Sequence, residues 1–207
     1  MTFTLWFMGR PASGKSTLAK RVETVLRDEE YTIENFDGDE IRTNLHPELG
    51  FTKEDRAINN RRTAFIAKLL NRNGINVVNA MITPFRESQQ EAREIIEQEG
   101  EFVLVYVKCS VERASERDPK NLYKQAQEGQ LENFTGVNHP FQEPHNPEIV
   151  VDTESQSVDE SVESILAKLE DRGILDEPPS GDYRMDISRS KEAKIKGRLR
   201  DLGYIDD

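Results

Sequence analysis

The segment Gly9-Arg10-Pro11-Ala12-Ser13-Gly14-Lys15-Ser16-Thr17 matches the pattern G-x-x-x-x-G-K-[ST]. It follows a short apolar run, Phe3–Met8, and opens a helical pattern, Lys15–Asp28, which is the context that this phosphate-binding loop requires. The glycines let backbone N–H groups wrap phosphate oxygens, Lys15 reaches the terminal phosphates and Ser16 can ligate magnesium. Residues 9–17 therefore predict an ATP or GTP site, and the alternative is a strand-to-helix turn that binds no ligand.

Short apolar runs alternate with helical patterns on the carboxyl side of this loop. The further runs, each bounded by Gly, Asp, Glu or Pro, predict strands at Tyr31–Phe36, Ile75–Ile82, Phe102–Val107 and Ile149–Val151. The further helical patterns lie at Lys53–Asn73, Arg86–Gln98 and Val158–Arg172. This alternation predicts an α/β fold of the P-loop NTPase type, a three-layer sandwich around a mostly parallel five-stranded sheet. In such a sheet, ligands bind beyond the carboxyl ends of the strands.

Two regions interrupt the alternation. Asn121–Glu143 is polar and contains one short helical stretch, Leu122–Gln127, so we expect a lid over about residues 118–143. Beyond residue 175, Pro178-Pro179-Ser180-Gly181 is typical of a linker and precedes a basic amphipathic stretch. We therefore expect one domain over residues 1–175, then a linker and a C-terminal helical tail over 176–207. The tail would pack on the domain, bind a partner or cap a neighbouring active site.

The composition limits the classes of function. The 207-residue chain has a formal net charge of −11, which disfavours a sequence-independent nucleic-acid binder, although a local basic cluster can still bind a small anion. Its one cysteine, Cys109, excludes an intramolecular disulfide and favours an intracellular setting. No apolar run approaches the roughly 18 residues of a membrane span. We expect a cytoplasmic protein that binds neither nucleic acid nor membrane.

An acidic segment follows the second predicted strand. In Phe36-Asp37-Gly38-Asp39-Glu40-Ile41-Arg42, two carboxylates flank a glycine where ligands should bind. One of them, with Asp39 the better candidate, could accept the proton of an attacking hydroxyl, and Asp37 or Asp39 could hold magnesium through water. An ordinary turn with a helix N-cap is the alternative.

A basic and aromatic segment comes next in the chain. Arg56 and Asn59 share a face of the predicted helix and could grip one anion with Arg42, while Phe51 stacks on a base. A solvated helix face is the alternative. Because the chain is small and has no evident guanine-specificity or motor-ATPase motif, we interpret it as a small-molecule kinase.

These features together resemble the adenylyl-sulfate kinases. The similarity extends over about residues 3–172 in the family's order and spacing. The shared segments are Phe36–Arg42, Leu49-Gly50-Phe51, Arg56 with Asn59 and Arg61-Arg62, Ile82-Thr83-Pro84-Phe85-Arg86, Arg117-Asp118-Pro119-Lys120, Leu122-Tyr123-Lys124 and Asn133-Phe134-Thr135-Gly136-Val137.

The resemblance implies a homodimeric, magnesium-dependent enzyme of sulfate assimilation. It would transfer the γ-phosphate of ATP to the ribose 3'-hydroxyl of adenylyl sulfate, and a separate chain would supply ATP sulfurylase activity. Asp39 and Lys15 would be catalytic, and ATP would also contact residues 9–17, with Gln156 near its adenine. The residues implied for adenylyl sulfate are Asp39, Arg42, Phe51, Arg56, Asn59, Ile82, Thr83, Lys120, Asn133 and Phe134.

The chain departs from the family pattern inside the same segments. Glu40 stands where asparagine is usual, Thr83 replaces a serine, and Asn121 replaces a glycine. Asparagine tolerates a positive φ, so the turn at residue 121 should survive. Two alternatives remain open: a kinase of the same fold that acts on another modified nucleotide, and a catalytically decayed regulatory protein that binds nucleotide.

Overall fold

A computed structural model describes residues 2–175, which belong to one compact unit, Met1–Leu175. The expected tail and its linker lie outside the described residues. In chain order the elements are β1 (Phe3–Met8), α1 (Lys15–Asp28), β2 (Ile33–Asp37), α2 (Gly38–Leu45), α3 (Lys53–Arg72), β3 (Asn76–Ala80), α4 (Arg86–Ile96), β4 (Glu101–Lys108), α5 (Val111–Arg117), α6 (Leu122–Gln127), β5 (Ile149–Asp152) and α7 (Val158–Asp171).

The five strands form one parallel sheet in the order β2-β3-β1-β4-β5, which confirms the predicted α/β fold. Central β1 is buried along its whole length, and its alternate side chains enter two different cores. Phe3, Leu5 and Phe7 join the core that includes residues of α1 and α7. Trp6 and Met8 join the core that includes residues of α3 and α4. Helices therefore cover both faces, and the carboxyl ends of all five strands meet at one edge.

Two short helices were not predicted. The segment after β2 was expected to be a loop, but α2 begins at Gly38 because the Asp37 carboxylate accepts hydrogen bonds from the backbone N–H groups of Asp39 and Glu40. Likewise, α5 begins after Ser110, whose hydroxyl accepts from the N–H of Arg113. Each helix is eight residues or shorter, which is too short for an apolar period to stand out.

The lid, residues 118–143, contains α6 with the predicted bounds. The Asp118 carboxylate accepts hydrogen bonds from the backbone N–H groups of Leu122, Tyr123 and Lys124 and so fixes the first turn. Asn121, just before α6, adopts φ +55°, which confirms that asparagine preserves the turn there. Within residues 2–175, no helix is both long and apolar enough to cross a membrane.

Candidate active site

The phosphate loop lies between the carboxyl end of β1 and the start of α1. A Cβ added at Gly9 would lie 2.4 Å from the carbonyl oxygen of Val107, so only glycine fits beside β4. Gly14 takes φ +100° at the N-cap of α1 and turns the chain into the helix. The backbone N–H groups at the start of α1 therefore converge on one concave site, as an anion requires.

Lys15 is buried within this loop. Its ammonium group donates a 2.7 Å hydrogen bond to the carbonyl oxygen of Arg10. Burial lowers the pKa of Lys15 to about 8, although Asp39, Cys109 and Asp37 partly oppose that change. The Asp39 carboxylate is the largest of these opposing charges, so it lies within electrostatic reach of Lys15.

The lowered pKa predicts a pH dependence of ATP binding. Lys15 is a charged ammonium below pH 8 and neutral above it, so its contribution to phosphate binding is lost as pH rises through 8. We expect the Kd for ATP, measured by calorimetry, to rise about tenfold between about pH 7 and pH 9, since the charged fraction falls by that factor. The Kd of Lys15→Met should not rise in this way, which distinguishes the titration of Lys15 from that of ATP itself. A flat profile in the unmodified protein would contradict the prediction.

The basic residues of α2 and α3 surround Phe51, which is 53% exposed. The guanidinium of Arg42 lies 4.7 Å from the centre of the Phe51 ring and donates to the carbonyl oxygens of Leu49 and Gly50. The guanidinium of Arg56 lies 5.4 Å from the same centre and is buried.

Arg56 joins the acceptor side of the site to the lid. Its Nε donates to the carbonyl oxygen of Phe51 at 3.0 Å, and its Nη2 donates to that of Asn133 at 2.9 Å. Burial, and then the charge of Arg42, lower the pKa of Arg56 to about 10. Within residues 2–175, neither Arg42 nor Arg56 forms an ion pair with a carboxylate. The hydrogen bonds of both guanidinium groups go to carbonyl oxygens, so their positive charges could interact with an anion.

The two carboxylates after β2 have different surroundings. Asp37 caps α2, so the alternative interpretation of this segment, an N-cap, is correct for Asp37. Asp39 is exposed in the first turn of α2, and its carboxylate forms an ion pair with Lys120 of the lid. Asp39 thus lies where the lid, the phosphate loop and α2 approach one another.

The lid also contacts the phosphate loop. The Tyr123 hydroxyl donates to the carbonyl oxygen of Pro11 at 3.0 Å. Phe134 is only 9% exposed, and its ring packs edge-on against Tyr123 with centroids 4.9 Å apart. Residues 118–143 therefore contact both the phosphate loop and Arg56.

Other predicted site residues have side chains engaged with the protein itself. The Thr83 hydroxyl is buried and accepts a 2.8 Å hydrogen bond from the indole N–H of Trp6, and the Thr83 carbonyl oxygen accepts one from Nε2 of Gln89 at 3.1 Å. Gln156 accepts from the backbone N–H of Asp152 through its Oε1. Asn59 contacts the imidazole of His46.

Comparison with known proteins identifies the family. The family model for adenylylsulphate kinase matches residues 1–152. The adenylyl-sulfate kinase of Halothermothrix orenii is 42% identical over 175 residues, covering 84% of this chain and 93% of that protein. The chain belongs to the adenylylsulphate kinase family. The structure of the Mycobacterium tuberculosis APS kinase CysC in complex with AMPPNP and APS has a TM-score of 0.79 at 35% identity, covering 82% of this chain and 98% of that one. A hexameric APS kinase from Thiobacillus denitrificans has a TM-score of 0.66 at 32% identity, covering 85% of this chain and 30% of that one.

One residue of this adenylylsulphate kinase domain has a structural importance that sequence reasoning missed. Arg117 donates to the carbonyl oxygen of Ser13 at 3.4 Å and to the Thr153 hydroxyl at 3.0 Å. The Thr153 hydroxyl itself donates to the Ser13 carbonyl oxygen at 3.0 Å. Arg117 therefore ties the phosphate loop to the loop after β5. The sequence signal for it is its position in the family segment Arg117-Asp118-Pro119-Lys120.

The oxygen groups of this kinase-family site fit magnesium. Ser16 is exposed in the first turn of α1, and Asp37 and Asp39 both lie near Lys15. Hydroxyl and carboxylate oxygens are the ligands that magnesium prefers. In the described part of the chain, no three His, Cys, Asp or Glu residues form a metal-binding group. This donor set suits an ion that is held mainly by nucleotide phosphates.

Proposed function

We propose that the protein is an adenylyl-sulfate kinase, which transfers the γ-phosphate of ATP to the 3'-hydroxyl of adenylyl sulfate. The observation that carries the proposal is the pair Arg42 and Arg56 around exposed Phe51, linked through the lid to a phosphate loop. An aromatic ring beside two cations without carboxylate partners suits a ligand with both a base and an anionic group. The family membership supports the same substrate.

The residues of this chain have distinct tasks in the transfer. Asp39 orients the 3'-hydroxyl and accepts its proton as the oxygen attacks the γ-phosphorus, and the bond to the β-γ bridging oxygen breaks to release ADP. Lys15 and the backbone N–H groups of residues 9–17 stabilise the charge that develops on the phosphate oxygens. Magnesium, when bound, would neutralise phosphate charge, held by Ser16 and, through water, by Asp37 or Asp39. The lid excludes water and so suppresses ATP hydrolysis.

The direct test is ADP release by the purified protein with magnesium-ATP and micromolar adenylyl sulfate, with the product identified by mass. A panel of other nucleotides should run beside it, because Glu40 is exposed on α2 and adds negative charge to the acceptor side. The expected result is formation of 3'-phosphoadenylyl sulfate from adenylyl sulfate, and no phosphorylated product from the other nucleotides. ATP binding without that product would favour another acceptor or a regulatory role.

Base stacking on Phe51 leads to a mutational prediction. We expect Phe51→Ala to raise the KM for adenylyl sulfate roughly 5- to 150-fold, since stacking of a base on an aromatic ring contributes about 1–3 kcal/mol. The KM for ATP should stay unchanged. Val150→Ala is the control, because Val150 is 41% exposed on the edge strand β5, outside the proposed pocket.

Phe134→Ala should raise the same KM, but it should also lower thermal stability, because Phe134 packs against Tyr123 within a buried cluster of the lid. An acceptor KM that is unchanged in both Phe51→Ala and Phe134→Ala would contradict the stacking assignment.

We further propose that the enzyme is a cytoplasmic homodimer and that a separate chain supplies ATP sulfurylase activity. An open apolar groove on α2, α3 and α4 supports self-association, because Leu45 and Phe65 in its lining are about half exposed. Sedimentation of the purified chain measures the oligomeric state directly, and a monomer at micromolar concentration would contradict the proposal.

A further inference from the structure

His46 lies at the corner between α2 and α3, at the start of the turn that leads to Phe51, and it also lines the apolar groove on α2, α3 and α4. It is the C-cap residue of α2 and is 3% exposed. Its Nδ1 lies 2.8 Å from Oδ1 of Asn59, which is 2% exposed on α3. Because neither side chain meets bulk solvent, this contact holds both groups in place.

The chemistry of the two groups determines which is the donor and which the acceptor of this hydrogen bond. An amide oxygen only accepts hydrogen bonds, so Nδ1 of His46 must carry the hydrogen and donate it to Oδ1 of Asn59. With Oδ1 engaged, the Asn59 amide has its Nδ2–H groups left to donate. Among residues 2–175, no side-chain hydrogen bond uses Nδ2 of Asn59. Arg56, three positions earlier, lies on the same face of α3.

We propose that His46 is a positioning residue, which orients the Asn59 amide so that its N–H groups point at the anionic or ribose oxygens of the acceptor. This inference rests on the proposed function, because it concerns the adenylyl-sulfate side of the same site. It adds a residue outside the predicted binding set and gives Asn59 one defined role, that of a donor. A donor matches Arg42 and Arg56, which also present only N–H groups to the pocket.

The backbone hydrogen bonds of His46, which stabilise the local turn, do not need its side chain. Its N–H donates to the carbonyl oxygen of Arg42, and its carbonyl oxygen accepts from the N–H of Leu49, both at 3.1 Å. These bonds start the turn that leads to Phe51, and they do not depend on the side chain. Removing the imidazole should therefore leave the turn in place and free only the Asn59 amide.

Steady-state kinetics of a small set of variants tests the inference. We expect His46→Ala to raise the KM for adenylyl sulfate about tenfold, with kcat and the KM for ATP within about twofold of the unmodified protein. His46→Asn should restore the acceptor KM to within about threefold, since its amide N–H can take the place of Nδ1–H. Asn59→Ala should act like His46→Ala, and the double variant should be no worse than Asn59→Ala alone. His145→Ala, at an exposed histidine, is the matched control.

Two kinetic outcomes would overturn the inference. One is an unchanged acceptor KM in His46→Ala. The other is a lower kcat, a rise in both KM values and a lower Tm in His46→Ala, none of them restored by His46→Asn. That is the pattern of a structural residue.

A spectroscopic measurement is independent of turnover and so remains informative if the proposed acceptor is wrong. In ¹⁵N-detected spectra of the ring nitrogens, neutral His46 should carry its hydrogen on Nδ1, and Asn59→Ala should shift that Nδ1 signal. A hydrogen on Nε2 would overturn the inference. If the unmodified protein makes no 3'-phosphoadenylyl sulfate but the Nδ1–H is present, the proposed function has failed while the positioning of Asn59 stands.

Discussion

Replacing Asp39 with asparagine should lower kcat at least about 100-fold, because the amide keeps the size of the side chain but cannot take a proton from the attacking hydroxyl. ATP binding should stay nearly intact, since the phosphate loop and Lys15 are unchanged. The position of Asp39 supports this expectation: it is exposed at the carboxyl end of β2, pairs with Lys120 of the lid, and acts on the charge of Lys15. Single-turnover kinetics with saturating ATP and acceptor would measure the chemical step directly.

The neighbouring carboxylates supply the controls for Asp39→Asn. Glu40→Gln changes an exposed carboxylate in the same turn and should leave kcat within about threefold. Asp37→Asn keeps an oxygen that can cap α2, so it should change stability little, and a loss of kcat there would implicate Asp37 in holding magnesium. An unchanged kcat in Asp39→Asn would remove Asp39 from the mechanism, and an equal loss in Glu40→Gln would point to charge rather than proton transfer.

Local pattern explains why most of the sheet and its helices were predictable. The apolar run Phe3–Met8 is a strand with the predicted bounds, and Lys15–Asp28 and Leu122–Gln127 are helices with the predicted bounds. Buried parallel strands leave continuous apolar runs, and amphipathic helices leave a regular period. The segment Gly38–Leu45 has only one buried residue, Ile41, so its hydrophobic signal was too weak to reveal α2.

Contacts between distant parts of the chain explain what the sequence could not predict. Arg56 meets Asn133 across 77 positions, and Tyr123 meets Pro11 across 112 positions. Spacing along one helix places Arg56 and Asn59 on a common face, but it cannot say whether that face meets solvent or a lid. The burial of Arg56 and Asn59 excludes the solvated face, and their role in binding stays a prediction.

We expect Arg56→Ala to lower kcat/KM for adenylyl sulfate about 30- to 4,000-fold, a larger effect than that of Phe51→Ala. Truncating a buried, hydrogen-bonded charge that faces an anion typically costs 2–5 kcal/mol, or roughly 30- to 4,000-fold. Arg56 is 6% exposed, and its partners in the protein are two carbonyl oxygens. Burying this cation without a carboxylate partner is unfavourable in free energy. A substrate anion that binds Arg56 would offset that desolvation.

Two further variants distinguish binding by Arg56 from its tie to the lid. Arg56→Lys keeps a positive charge but loses the planar guanidinium with its several N–H donors. Its kcat/KM for the acceptor should therefore lie between those of Arg56→Ala and the unmodified protein. Arg72→Ala removes an exposed arginine at the end of the same helix, and its kinetics should match those of the unmodified protein. If Arg56 only held the lid, its loss would raise ATP hydrolysis in the absence of acceptor and leave the acceptor KM unchanged. If it binds the anion, the acceptor KM must rise while ATP hydrolysis in the absence of acceptor stays low, because the anion loses a buried charge that no other group replaces.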